Sequence, residues 1–324
     1  MSELRQDPLT RDWVILSPGR AARPHDTNGD VAVRCPFCPG REAQTPPEVD
    51  RITIGDDWAV RVVPNRYALL EPGALSRQAA EFGRRMPGIG AHEVIIETPE
   101  HERTLGTLPQ AQLRRVLAMY LRRSRVLAET VPAASQIVVF RNQGERAGTS
   151  LTHPHAQIVA TPVVSPEVRR RIADEIAWFD ATGRCATCEM LKRELGCGDR
   201  IVHESPGFVT VAPFASPHPY QLQVVPGHHA ASFLDAGEDL LDDLAQHLHD
   251  VAAVLEAQLE VPHYNLVVLT PPLDQIHLRA NHWLIELVPR LTTPAGFELG
   301  ARISVNTVTP EDAAHRLRSR LARS

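Results

Sequence analysis

The 324-residue chain lacks any apolar run near the ~18 residues needed to span a bilayer. No membrane partner is expected. Its opening residues, Met1-Ser2-Glu3-Leu4-Arg5-Gln6-Asp7, show neither the basic block nor the apolar block of a secretory signal. That reads as a cytoplasmic, reducing setting, where structural disulfides are rare. Aromatic residues are scarce at 5%, which argues against the stacking platforms of single-strand nucleic-acid binders. Positive charge is not in excess, and the net charge of −5 argues against a nucleic-acid surface. No carboxylate pair has the look of a magnesium holder, so no catalytic Mg²⁺ is expected. What is present is 43% apolar residues, enough for a substantial core in two fused units.

The cysteines carry more information. Cys35-Pro36-Phe37-Cys38 and Cys185-Ala186-Thr187-Cys188 are two C-x-x-C knuckles, and Cys197 stands alone. The spacing lets two thiolates bind one Zn²⁺ tetrahedrally. Neither knuckle has a second C-x-x-C nearby, so each needs ligands from far along the chain. No thioredoxin-like βαβ pattern surrounds either one, which disfavours a redox role. Cys197 reads as an inert small side chain.

The knuckles mark an internal repeat. Trp58 follows Cys35 by 23 residues, and Phe208 follows Cys185 by 23. Each aromatic opens a β-rich segment, 58–64 and 208–213. An apolar strand running toward histidine comes next, 94–101 and 222–229. A helix follows, 108–127 and 240–259, and then a strand, 137–140 and 265–268. The last element is a histidine, His153 or His282, which lies 52 residues after His101 or 53 after His229. Two copies of one α+β unit account for this order. The expected architecture is mainly antiparallel sheet with flanking helices, in halves 1–162 and 166–324. Segment 162–167 is the junction. The repeat also proposes two metal sets, Cys35, Cys38, His101 and His153, and Cys185, Cys188, His229 and His282. His228, adjacent to His229, is the alternative ligand in the second set.

Chemistry concentrates at His153-Pro154-His155-Ala156-Gln157. On a strand, alternate side chains share a face, so His153, His155 and Gln157 would line one surface. Taken alone, a His-x-His is more often an ordinary buried pair than a reacting one. The second copy alters that balance. There the stretch is His282-Trp283-Leu284-Ile285-Glu286, and Leu284 can neither attack nor move a proton. One half is expected to carry the chemistry. The other holds a second metal and part of the substrate site.

On these motifs, and on the opening run from Asp7 to Pro24, the chain resembles the galactose-1-phosphate uridylyltransferase family. That family is a branch of the histidine-triad superfamily built from two such repeats. The resemblance implies two fused histidine-triad-type repeats and a nucleotidyltransferase that exchanges a nucleoside monophosphate between an NDP-sugar and a sugar 1-phosphate. It implies that His155 is the nucleophile and that Gln157 stabilises the nucleotidylated histidine. It places nucleotide and phosphate binding on Asn65, Asn142, Ser150, Arg20 and Arg23. It implies zinc in the first set, zinc or iron in the second, and a homodimer whose shared active site is crossed by residues 19–28.

A neutral imidazole can attack the α-phosphorus and expel a sugar 1-phosphate, splitting one displacement into two. A glutamine cannot shuttle a proton, which suits an intermediate awaiting a sugar phosphate rather than water. The sequence departs from the family on the sugar side. Phe297 and Glu298 stand where the family has tyrosine and glutamate, and Gln143 replaces a usual lysine. The run 281–291 looks closer to a relative that phosphorolyses ADP-glucose. UDP-glucose with galactose 1-phosphate is the leading substrate pair. An ADP-sugar phosphorylase, a hydrolase of the same superfamily and a non-catalytic zinc-stabilised nucleotide binder are the alternatives. Residues 71–89, punctuated by glycine and proline, read as a mobile loop or short helix beside the site. The arginines of helix 108–127 read as a solvated face.

Overall fold

The computed structural model describes residues 2–18, 20, 35–75, 78–79, 83–260 and 262–322. In chain order the elements of the first half are β1 (Glu3–Gln6), β2 (Trp13–Leu16), β3 (Asp50–Ile54), β4 (Asp57–Pro64), β5 (Gln78–Ala79), β6 (Arg84–Pro87), β7 (Ala91–Ile96), α1 (Gln110–Thr130), β8 (Gln136–Gln143) and β9 (His155–Thr161). The second half comprises α2 (Pro166–Thr182), α3 (Ala186–Cys197), β10 (Ile201–Glu204), β11 (Phe208–Val211), β12 (Leu222–Pro226), α4 (Asp239–Leu259), β13 (Tyr264–Leu269), β14 (Leu284–Pro289), α5 (Gly296–Ala301) and α6 (Pro310–Leu321). No described helix is long and apolar enough to cross a membrane.

Ten strands form one sheet in the order β10-β11-β12-β14-β13-β8-β9-β7-β4-β3, and every pairing in it is antiparallel. The order is palindromic about the β13–β8 contact. Each half contributes five strands in equivalent order, and the two inner strands join along their edges. Register repeats as well. Val94 lies opposite Gln157 in the first half, and Gln223 lies opposite Glu286 in the second. This is the α+β fold of two fused repeats.

The sheet is covered differently on its two faces because side chains alternate along each strand. Ala156, Ile158 and Ala160 of β9 point into the main core, shared with Leu113, Leu117 and Tyr120 of α1 and Leu244, Leu248 and Val251 of α4. The other face carries the knuckles. Cys35, Phe37 and Trp58 pack there with Val63, Val94 and Ile96. In the second half, Leu284 packs with Leu191, Val211 and Val225. β-Branched residues dominate these two-sided buried strands, as expected where both faces are covered. The junction closes with α2. Ser165 caps it by accepting the Val168 N–H at 3.2 Å, Pro166 occupies the first turn, and Gly183 ends it in the left-handed region at φ 70°.

Three expectations change. β9 begins at His155, so His153 precedes the strand and does not share its alternation; Pro154 separates the two. Residues 71–89 contain no helix in their described part. They contribute β5 and β6 to a small sheet of order β2-β1-β6-β5. The arginines of α1 do form a largely exposed face, with Arg122 and Arg125 exposed, but it is tied down by ion pairs and backbone contacts, and Arg123 is buried. Arg123 makes a buried two-pronged pair with Glu93, at 2.9 and 2.7 Å, Arg122 clasps Asp50, Arg114 meets Asp242, and Arg125 donates to the carbonyls of Leu234 and Ala236. The last two contacts tie the first half to the second.

Candidate active site and metal centres

The turn after β7 and the turn before β9 bring His101 and His153 to the first knuckle. His101 Nδ1 lies 3.3 Å from Cys38 Sγ and 3.3 Å from His153 Nδ1, and Cys38 Sγ lies 3.6 Å from His153 Nδ1. With metal–sulfur and metal–nitrogen bonds of about 2.3 and 2.0 Å, a tetrahedral ion needs ligand separations of about 3.3–3.8 Å. The outward ring nitrogens are engaged. His153 Nε2 donates to the Thr98 carbonyl at 2.8 Å, and His101 Nε2 stands 2.9 Å from Thr152 Oγ1. The Thr98 carbonyl fixes the proton of His153 on Nε2, so its Nδ1 lone pair aims inward, the tautomer a metal requires; the Thr152 hydroxyl can accept the His101 Nε2–H in the same way. Burial pulls the His153 imidazole down to about 4 and pushes the Cys35 thiol up to about 11. A dication at this point would hold the thiols as thiolates.

The second set has the same geometry. Cys188 Sγ lies 3.5 Å from His229 Nδ1 and 3.4 Å from His282 Nδ1, and Cys185 Sγ lies 3.8 Å from His282 Nδ1. The histidine rings meet edge-on at 87°, as His101 and His153 do at 84°. His229, not His228, belongs to the cluster. Both Cys₂His₂ groups fit zinc.

His155 sits beside the first metal set. Its Nδ1 lies 2.8 Å from the His153 carbonyl. A carbonyl can only accept, so Nδ1 carries the proton and Nε2 the lone pair. Phe37, between the knuckle cysteines, makes edge contacts with both His153 and His155 at centroid distances of 6.0 and 5.5 Å. The knuckle thus packs against the His155 ring as well as contributing to the candidate metal set. His155 opens on two cavities of about 250 Å³ each. One is lined by Phe37, Tyr67, Asn65, Ser150 and Gln157. The other is lined by Asn142, Gln143, Thr149 and His263.

The structure brings His155, Gln157, Asn65 and Ser150 together around the first cavity. Asn142 reaches the second, its side-chain oxygen accepting from Asn265 at 2.9 Å. Arg20 donates to the carbonyl of Tyr67, a residue of the first cavity. Arg23 and most of 19–28 lie outside the described residues. Phe297 and Glu298 are on α5 and line neither cavity beside His155. Cys197 is exposed and donates to Asp199 at 3.0 Å. His92 carries no signal in the motifs or the repeat. It is 4% exposed, with Nε2 2.9 Å from Gln157 Oε1. A polar residue heading an apolar strand was the available signal.

Residues 1–165 match the family model described as galactose-1-phosphate uridyl transferase, N-terminal domain. Residues 89–324 match a domain of unknown function, DUF4921. Across 98% of its length the chain is 35% identical to ADP-glucose phosphorylase from Arabidopsis thaliana, covering 92% of that protein. It is 29% identical to galactose-1-phosphate uridylyltransferase from Thermotoga maritima, with 98% of each chain covered. The crystal structure of the Arabidopsis thaliana ADP-glucose phosphorylase with bound ADP-glucose superposes with a TM-score of 0.78 at 34% identity, covering 98% of this chain and 99% of that one. The duplicated fold and these likenesses define a nucleotidyltransferase. The chain belongs to the galactose-1-phosphate uridylyltransferase family.

Proposed function

We propose that the chain moves a nucleoside monophosphate from an NDP-sugar to an acceptor phosphate through a covalent nucleotidyl-His155. We take ADP-glucose as the preferred donor and inorganic phosphate as the preferred acceptor. The tautomer of His155, fixed by the His153 carbonyl at 2.8 Å beside a cavity bearing Gln157, carries this reading. Nε2 attacks the α-phosphorus, the bond to the bridging oxygen breaks, and the sugar 1-phosphate leaves. The resulting imidazolium keeps its Nδ1 proton on the His153 carbonyl. An acceptor phosphate oxygen then attacks the same phosphorus and releases neutral His155. Gln157 donates to a non-bridging oxygen, where charge builds. Asn142, Ser150, Arg20 and Arg23 are the proposed binders of the nucleotide phosphates. Zinc at both Cys₂His₂ groups would supply rigidity, not a reacting oxygen, since all four ligand positions are protein side chains.

The donor assignment rests on the 35% identity to ADP-glucose phosphorylase over nearly the whole chain. The second reading, UDP-glucose:galactose-1-phosphate uridylyl transfer, is favoured by the family-model match over residues 1–165. Both place the enzyme in the cytoplasm as a homodimer. The exposed apolar residues Phe297, Leu299, Ile303 and Val305 support association, and Phe297 with Glu298 would meet the sugar in the partner's site.

Intact-mass measurement separates the readings. The protein is mixed with ADP-glucose or UDP-glucose, then chased with phosphate, glucose 1-phosphate or galactose 1-phosphate. An AMP adduct discharged by phosphate to ADP is expected. A UMP adduct discharged by galactose 1-phosphate, and by glucose 1-phosphate as the reverse of its formation, but not by phosphate, would establish the second reading. Free nucleoside monophosphate with no acceptor dependence would mean hydrolysis.

A further inference from the structure

We propose that His92 is a positioning residue that fixes which way the Gln157 amide faces. The inference rests on the proposed use of Gln157 as a donor to the phosphoryl group. A glutamine amide has two ends of similar shape and opposite polarity. Turned one way it presents NH₂ to a phosphoryl oxygen. Turned the other way it presents a carbonyl, which repels that oxygen. Something must set the direction.

The structure sets it from the backbone outward. The Leu69 N–H donates to His92 Nδ1 at 3.0 Å. A peptide N–H can only donate, so Nδ1 is the acceptor and the neutral ring carries its proton on Nε2. Nε2 then donates to Gln157 Oε1 at 2.9 Å. Asn65 repeats the logic. Its Oδ1 accepts the Tyr67 N–H at 2.8 Å, so its NH₂ is the free end, and that end donates to the same Gln157 oxygen at 3.2 Å. The two donors converge so closely that Asn65 Nδ2 and His92 Nε2 are 3.1 Å apart. The Asn65 N–H also donates to the His92 carbonyl at 2.8 Å, so one loop after β4 holds both side chains.

Two donors on Oε1 leave Gln157 Nε2 as the end available to the cavity and His155. A turned amide would lose both bonds and place its NH₂ against two donors. His92 and Gln157 are each 4% exposed, so water cannot easily replace the lost partners. The β7–β9 register sets Val94 opposite Gln157 and His92 opposite Val159, on the same sheet face. The second half offers a contrast. Glu286 occupies the Gln157 position and accepts from Gln223 at 2.8 Å. A carboxylate has two accepting ends, so its direction carries no polarity.

Two substitutions separate the two ends of His92. His92→Asn keeps an acceptor for the Leu69 N–H but cannot reach Gln157. His92→Gln keeps a donor at the reach of Nε2 but gives up the Leu69 contact. The readouts are the single-turnover rate of His155 nucleotidylation by ADP-glucose (by UDP-glucose if that is the donor), the donor affinity, and Tm of the zinc-loaded protein. His92→Asn should slow nucleotidylation about tenfold or more, short of the ~10²–10³ for complete loss of an oxyanion donor, with donor affinity changed less than about twofold. His92→Gln should retain most of the rate while its Tm falls further. In a Gln157→Ala background, His92→Asn should add nothing, because the two act as one unit. The inference is overturned if both variants slow in proportion to their loss of Tm. It is also overturned if the His92→Asn effect persists in Gln157→Ala, or if His92→Asn runs at full speed while Gln157→Ala is slow. A Gln157→Ala protein at wild-type rate would instead remove Gln157 from the proposed chemistry, and the lock with it.

Discussion

Glu97→Gln removes one charge with almost no change of shape, at the point where the first half's strands meet α1. Glu97 is fully buried. Its Oε2 accepts from Arg141 Nε at 2.8 Å, its Oε1 accepts from the Tyr120 hydroxyl, and its main-chain carbonyl accepts from Gln112 at 2.6 Å. Burial by itself would pull the Arg141 pKa down. The adjacent Glu97 carboxylate outweighs that and drives it up, so Arg141 stays charged. Burial, reinforced by Glu97, lifts the Tyr120 hydroxyl well above its ordinary range, so it stays a donor. A glutamine would have to turn its NH₂ toward one of these two donors and would leave the guanidinium without a counter-charge. Breaking a buried pair in this way costs about 3–5 kcal/mol, against a total stability on the order of 5–15 kcal/mol. The measurement is urea unfolding at pH 7 with zinc concentration fixed, since bound metal contributes to apparent stability. Replacing both partners, Glu97→Leu with Arg141→Met, should recover most of the loss, because no lone charge remains. A Glu97→Gln loss below about 1 kcal/mol, the worth of an exposed pair, would mean that the buried charge pair does not stabilise the fold.

Cys35→Ser and His101→Ala should each reduce bound metal from about two ions per chain to about one by elemental analysis, lowering Tm and abolishing transfer, because Phe37 then no longer clamps His155. Cys185→Ser should also lose one ion yet retain measurable transfer, since Leu284 occupies the nucleophile position there. Ser150→Ala and Asn142→Ala should raise the donor KM about tenfold, the worth of a hydrogen bond to a charged group, and initial-rate kinetics would show it. Sedimentation at assay concentration should give a dimer that Phe297→Asp dissociates with loss of activity. A fully active monomer would contradict the shared site.

The repeat was legible because both copies preserve spacing. Cys35 to Trp58 and Cys185 to Phe208 fall on the knuckle and β4 or β11 in the same relation. The metal sets were legible for the same reason. Cysteine and histidine recur in one order, and the turns that bring them together lie at equivalent places. The face of His153 is not legible from alternation, which assumes a continuous strand, because Pro154 interrupts it. The small sheet of β1, β2, β5 and β6 went unread because its strands are short and partly polar, as in Arg84-Arg85-Met86-Pro87. The ties made by the α1 arginines were invisible because Glu93, Asp50 and Asp242 are distant in sequence and meet α1 only once the sheet forms. His92 was missed for a related reason. Its role depends on the β7–β9 register and on backbone donors at Leu69 and Tyr67, and no spacing encodes either.

In the proposed transfer the nucleotide becomes bonded to His155. Wild-type protein is incubated with ADP-glucose, quenched in base, where a phosphoramidate survives, digested and sequenced by mass spectrometry, with His155→Gly alongside. The nucleotidyl group is expected on the peptide containing His153-Pro154-His155, at His155, with no adduct in His155→Gly, although that variant should still bind two metal ions and nucleotide. A nucleotidyl group on another residue, or His155→Gly turning over near the wild-type rate, would contradict the proposed transfer.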